Sequence, residues 1–413
     1  MLYDYIIIGG GIAGVYCAYK LSSKYKVLLL EKEDKLCGRG LMINWHGMDI
    51  KIGAGIGSPE NLTLIRLMKE LNFLYVESKG ENGFVDLDDR FDQSKFTQKI
   101  KDKVQEYKIL GKPYNHLSVL QFLKQNFIKD DVISYLEHCE YIDFINSDID
   151  YYLNFYPIND NIPGPYTVFY IDWMKLVKVM EEKIKQNLSD IQLNCEVEKI
   201  NKVDGGINKV DGKINKVEGK INKVEGGINK VEGKINKFEA KNIIFATTLK
   251  PLQKLLLYPI SNYIGSVPFV RIYTFHKNGH NFKGKNIKAY TILQNNYLQK
   301  VIIMGNNILM ASYSDSFYAD YWKKYLDNKE KLTKKVLKYL RKIIPTTSDI
   351  NDIYIHYWSE GVHYYKPTSG KFDEIHKKII NPEKNYYVCG EIVSRRQGWV
   401  DGALSSVDDL QLF

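Results

Sequence analysis

Gly9, Gly11 and Gly14 follow a continuous apolar run at residues 5–8 and open a helical stretch at 15–21. A strand entering such a loop and leaving as a helix aims backbone N–H groups and a positive helix end at an anion. Gly9 permits the tight turn, Gly11 lets the backbone approach a pyrophosphate, and Gly14 lets helix and strand pack closely. A second apolar run, 26–30, ends at Glu31, where a carboxylate can accept ribose hydroxyls. Together these residues form a β-α-β unit of about 30 residues that binds a dinucleotide. NAD and FAD both suit such a unit, so the choice between them needs other residues.

Four segments supply them. The first is residues 4–31; the second, 31–39, reads EKEDKLCGR; the third, 52–56, reads IGAGI; the fourth joins CGEI at 389–392 to GWVDGAL at 398–404. A weaker fifth is CEV at 195–197 with Ile200, followed by IIFA at 243–246. In these segments the chain resembles the flavin-containing amine oxidase family, which includes monoamine oxidases, polyamine oxidases and histone lysine demethylases. The resemblance implies FAD. It implies that Ala13 joins the glycine loop in the cofactor site, and that Arg39 lies against the diphosphate or ribityl, where a guanidinium suits an anion. It implies that Gly55 and Ile56 approach the isoalloxazine by backbone and that Val197 offers its backbone to the adenine. Gly390 and Glu391 would meet the ribityl chain. Trp399, Val400 and Ala403 would start the last helix, whose positive end stabilises charge on the reduced flavin. Cys37 departs from the family pattern by replacing the first glycine of a Gly-Gly-Arg. The family's covalent cysteine sits in a segment resembling residues 358–365, which have none. Non-covalent FAD is therefore expected.

The same resemblance implies oxidation of a C–N bond, with a neutral amine framed by two aromatic rings. Trp399 matches one of these positions, and Tyr364, or else His363, is the candidate for the other. The family's usual lysine near flavin N5 lies on a strand resembling residues 269–275, where this chain has no lysine and offers Arg271 instead. Arginine stays protonated and is a poor base. Arg271 would then organise water or bind an acidic substrate group. The leading expectation is an oxidase acting on a small-molecule amine with O2 as acceptor. The alternatives are an oxidoreductase or isomerase for a non-amine substrate and a flavin-bound structural protein.

The fold class that would position these residues is α/β. It comprises a three-layer Rossmann-like FAD-binding domain, a discontinuous α+β substrate domain and an inserted β-type heptapeptide repeat. The FAD-binding domain takes residues 1–75, 191–262 and 376–413, and the substrate domain 76–190 and 263–375. The repeat occupies 200–241 in six copies: INKVDGG, INKVDGK, INKVEGK, INKVEGG, INKVEGK and INKFEAK. Glycine in five of the six copies opposes a helix. Turns between short strands suit it better, although an odd period swaps the faces of one continuous strand at each copy. A surface excursion is expected, either a neutrally expanded loop or an arm that docks a protein partner. Removing residues 207–234 should then leave FAD content and stability nearly intact.

With 413 residues, 44% of them hydrophobic and 26% charged, the composition is that of a soluble globular protein. No apolar run approaches the length of a membrane span, and neither a membrane nor a metal partner is expected. Net charge is +9, of which the repeat carries +4 through ten lysines against six acids. This reads as solvated surface, with no nucleic acid partner. Five dispersed cysteines argue for free thiols in a reducing compartment. The cytoplasm is expected. Abundant Lys, Asn, Ile and Tyr hint at an AT-rich genome such as that of a large DNA virus, in which case the virion is a second location.

Overall fold

A computed structural model describes residues 2–80, 84–86, 91–157, 166–187, 189–203, 207–214, 235–282, 291–293, 296–368 and 370–413. In chain order the first half holds β1 (Leu2–Ile8), α1 (Ile12–Ser22), β2 (Val27–Leu30), β3 (Met42–Trp45), β4 (Met48–Lys51), α2 (Leu62–Glu70), β5 (Val76–Gly80), β6 (Phe84–Asp86), α3 (Gln93–Ile109), α4 (Val119–Asn126), α5 (Lys129–His138), α6 (Ile149–Phe155), β7 (Tyr166–Tyr170) and α7 (Trp173–Gln186). There follow β8 (Asp190–Gln192), β9 (Cys195–Val203), β10 (Ile207–Ile214), β11 (Ile235–Phe245), α8 (Leu249–Leu255), β12 (Ile264–Phe275), β13 (Thr291–Leu293), β14 (Lys300–Ile303), β15 (Ile308–Asp315), α9 (Ser316–Lys323), α10 (Lys329–Ile343), β16 (Asp352–Tyr365), α11 (Phe372–Ile380), β17 (Tyr386–Val388) and α12 (Val400–Asp408). None of the described helices is long and apolar enough to cross a membrane.

Continuous apolar runs make strands that must be covered on both faces. β1 pairs in parallel with β2 and β11, β2 with β8, and β11 with β17. Ile6, Ile7, Leu29, Ile243, Ile244 and Phe245 are wholly buried there. Each such side chain contributes about 1.5–3 kcal/mol relative to exposure. One face packs with Val15 of α1, Leu176 of α7 and Val407 of α12. The other packs with Leu252 of α8 and Ile392. This is the expected three-layer arrangement, and it sets the start of α1 and the start of α12 at the strands' C-terminal ends.

The second sheet runs β16-β12-β15-β14-β13-β6. Strand alternation gives β12 two chemistries. Val270 and Ile272 face inward against Val336 and Leu340 of α10. On the opposite face Tyr273 packs with Ile50, and Arg271 reaches the Lys51 carbonyl. That face is turned toward residues 50–55, at the end of β4, which pairs with β3 in a small sheet of its own.

The repeat departs from a surface excursion. Its second copy forms β10, which lies antiparallel between β9 and β11 as part of the large sheet. Val210 is wholly buried, and Asn208, also buried, donates to the backbone oxygens of Ala240 and Lys241. A Cβ on Gly212 would stand 2.6 Å from Cys195 Sγ, so the glycine here serves packing. Removing residues 207–234 would take β10 together with every copy that could replace it, so a cost is expected, contrary to the expectation above. Hairpin reversal answers the facing problem of the odd period, because Val203 lies opposite Ile207 and Ile200 opposite Val210. Residues 204–206 and 215–234, with most of copies three to five, lie outside the described residues.

Candidate active site

The glycine loop divides its labour. Gly9 has φ +108°, and a Cβ there would stand 2.5 Å from the Ala246 carbonyl oxygen. A Cβ on Gly14 would collide with the Gly9 carbonyl oxygen. The protein's own packing thus demands both. Gly11 differs: it caps α1, and nothing lies within 4 Å of where its Cβ would be. That open cradle at a helix N-terminus fits a diphosphate. Ala13 is buried beside it, 3.8 Å from where a Gly390 Cβ would stand.

Glu31, at the end of β2, accepts from the Gly10 N–H through one oxygen and from the Glu33 N–H at 2.9 Å through the other. A carboxylate has about four lone-pair directions, so acceptor capacity remains for a ribose. Val197 is buried on β9.

Arg39, Glu391 and His363 form a hub. Arg39 Nη1 donates to the Gly361 carbonyl at 2.7 Å and to Glu391 Oε2 at 2.9 Å. Glu391 also accepts from the His363 N–H at 2.9 Å, His363 Nδ1 at 2.6 Å and the Gly398 N–H at 3.0 Å. The Leu249 N–H donates to His363 Nε2, which assigns the ring proton to Nδ1. Burial opposes charge on Glu391, yet His363 and Arg39 outweigh it and hold the carboxyl far below its ordinary range. With these donors in place, a ribityl hydroxyl would share an oxygen already in use. His363 thereby belongs to the framework under the site.

Trp399 caps α12, with Val400 as its first residue and Ala403 buried one turn on. The Arg396 guanidinium lies 5.9 Å from the Trp399 ring centre. Gly398, at φ +83°, faces Val362 and Asp143. The Tyr364 ring lies across β12 where a Gly265 side chain would stand. No ring contact joins Tyr364 to Trp399 among the described residues.

Arg271 is 2% exposed. Its Nη1 donates to the Lys51 carbonyl at 3.0 Å, and its guanidinium stacks 4.3 Å from the Tyr313 ring centre. Its Nη2 stands 3.2 Å from the position of a Gly55 Cβ, so Arg271 meets the segment carrying Gly55 and half-buried Ile56. Phe269, Tyr313 and Trp358 are near neighbours on this face, with ring centres 6.0 and 6.4 Å from Phe269.

Sequence reasoning missed several groups here. Lys51 donates to the Gly55 carbonyl, and burial, then Arg271, push its ammonium down to about 8. Lys300 is wholly buried, donates to Glu140 at 3.2 Å and lies 3.2 Å from the Tyr141 ring centre. Burial pushes it too down to about 8, against the pull of Glu140. Burial and then Asp143 raise Asp315 to about 7. No motif signals these residues, which lie on β4, β14 and β15.

The family of NAD(P)-binding Rossmann-like domains matches residues 7–71. An alignment 125 positions long, covering 26% of the chain, is 31% identical to an uncharacterised protein of Acanthamoeba polyphaga mimivirus. That match spans only 24% of the viral protein's length. Cyclohexylamine oxidase from Brevibacterium oxydans superposes with a TM-score of 0.71 at 14% identity, covering 98% of this chain and 97% of that one. A putrescine oxidase with redesigned cofactor binding superposes at 0.70 and 15% identity, covering 99% and 98%. The class defined is a Rossmann-like dinucleotide-binding fold. Within it, the whole chain has the amine-oxidase fold that its motifs imply.

Proposed function

We propose that the chain is an FAD-dependent oxidase acting on a small-molecule amine. It would take a hydride from the carbon next to the nitrogen and pass the electrons to O2, giving an imine, then an aldehyde, and hydrogen peroxide. The observation that carries the reading is the open Gly11 cradle beside the Arg39–Glu391 hub, in a chain with the amine-oxidase fold from end to end. FAD, when bound, supplies the hydride acceptor and the route to O2.

The protein's part is binding and orientation. Gly9, Gly11, Ala13 and Gly14 receive the diphosphate, Glu31 the ribose, and Val197 the adenine. Arg39 neutralises phosphate or steadies the ribityl beside Gly390 and Glu391. Gly55 and Ile56 would back the isoalloxazine by main chain, and the start of α12, with Val400 and Ala403, would offer it the positive end of a helix. Trp399 and Tyr364 wall the substrate space and exclude water, which favours the neutral amine. Residues 358–365 hold no cysteine, which supports dissociable FAD. Five buried free thiols support a reducing compartment, the cytoplasm. Anaerobic stopped-flow mixing with a panel of amines tests the proposal. Bleaching of the flavin band by at least one amine is expected; a flavin that none of them reduces would sink the reading.

A further inference from the structure

Arg271 carries a fixed positive charge into the interior, and no carboxylate meets it among the described residues. Its neighbours are the Lys51 carbonyl, the phenols Tyr273 and Tyr313, and two further cations, Lys51 and Lys300, the latter on the same Tyr313 ring. The nearby acids are engaged elsewhere: Asp172, whose charge pulls on Lys51, caps α7 by accepting from the Lys175 N–H at 2.9 Å. Asp315 accepts from the Ile142 N–H, Asp143 from the Tyr156 hydroxyl at 2.7 Å, and Glu140 from Lys300. Arg271 Nε is buried and donates to nothing. A buried guanidinium with an idle N–H and no counter-ion is costly to hold, and an arginine fork matches a carboxylate.

We propose that Arg271, with Lys51 beside it, is the subsite for a carboxylate on the substrate, so that the amine oxidised is an amino carboxylate. The inference rests on the oxidase reading above. Phe269 and Trp358, on the same face of the sheet, offer aromatic surface to the rest of such a molecule. The carboxylate makes and breaks no bond. The C–H bond breaks with its electron pair leaving as hydride to FAD, and the nitrogen gives up one proton.

The test is titration of the oxidised FAD-loaded protein with benzoate and with uncharged benzamide, followed by perturbation of the flavin spectrum. Benzoate should bind tenfold or more tightly than benzamide, the size of a charge-assisted hydrogen bond, about tenfold to a hundredfold. Arg271→Met should abolish the difference while leaving FAD content unchanged. Equal affinities in the wild type would overturn the proposal even if the variant fails to fold. So would a variant that keeps benzoate affinity but shifts the flavin midpoint potential, since the guanidinium would then serve the flavin. Amino acids and their decarboxylated amines separate the two readings. Reduction by the amines alone sinks the carboxylate subsite and leaves the oxidase standing. Reduction by neither, with benzoate still preferred, sinks the oxidase and leaves the anion site.

Discussion

Arg39 and Glu391 lie 352 residues apart in the chain and meet at 2.9 Å, on a carboxylate that also takes both the backbone and the ring N–H of His363. The contact ties the first β-α-β unit to the start of the last helix. It also fixes Gly398 through its N–H.

Glu391→Gln would keep the shape and turn an amide N–H₂ toward donors. Breaking a buried charge network of this kind costs about 3–5 kcal/mol, and a matching fall in Tm is expected. The pH dependence has a sign. The folded carboxyl is held below its unfolded value, so its contribution is complete above the ordinary carboxylate range. It declines as pH falls through that range and below. Thermal melts between pH 7 and pH 3 should therefore show a steeper acid loss in the wild type than in the variant; parallel curves would show that the hub does not carry this charge.

Glu31→Ala should act twice. Loss of a buried ribose bond is worth about 1.5–3 kcal/mol, or roughly tenfold to over a hundredfold in FAD affinity. The Gly10 and Glu33 N–H groups also lose their acceptor, so the FAD-free protein should melt earlier as well. A titration with unchanged affinity alongside a lowered melting point would confine Glu31 to the loop.

Purified protein should be yellow and should release its flavin on acid precipitation. The reason is the absence of cysteine from residues 358–365. Colour retained in the washed pellet would show a covalent link.

Trp399→Ala should slow anaerobic flavin reduction by about tenfold to a hundredfold while FAD stays bound, because the wall positions the reacting carbon. Stopped-flow traces and the flavin-to-protein absorbance ratio report the two effects separately. Loss of flavin with no change in rate per bound flavin would assign Trp399 to cofactor binding.

Removing residues 221–234, two whole copies, should leave FAD content and Tm nearly unchanged. Seven residues, 214–220, would then join Lys213 to Ile235, which already face each other across the sheet. Loop length carries only a weak entropic cost. A drop in Tm of more than about 5 °C, on the order of 4 kcal/mol for a chain of this length, would show that these copies contribute to the folded body.

Local signals carried much of this fold. The β-α-β unit was legible because a strand, a glycine loop and a carboxylate fall within one short stretch. The site's substrate side was less so. Arg271 stood out by substitution for an expected lysine, but Tyr313 and Trp358 reach it through the pairing of β12 with β15 and β16, and Lys51 from β4, which belongs to a different sheet. Burial of Lys300 leaves no trace in local composition. Strand alternation separates Tyr364 from His363: the histidine points to Glu391 and the tyrosine lies across Gly265. The repeat misled because polarity suggested exposure, whereas β10 buries Asn208 by giving its amide two carbonyls.

β10 sits inside the large sheet, yet its sequence is almost that of its neighbours. INKVEGK, the third copy, differs from the second only by glutamate for aspartate, and Ile, Asn, Val and Gly recur at the same places in copies one to five. The sheet therefore has spare parts for one of its own strands. Unequal recombination among such copies would change the gene in steps of seven codons and shorten or lengthen only the span before β11. A loss that takes the second copy promotes the third into its position, with the glycine that Cys195 requires already in place. Length variation among natural alleles of this gene is thus compatible with one unchanged nucleotide-binding body.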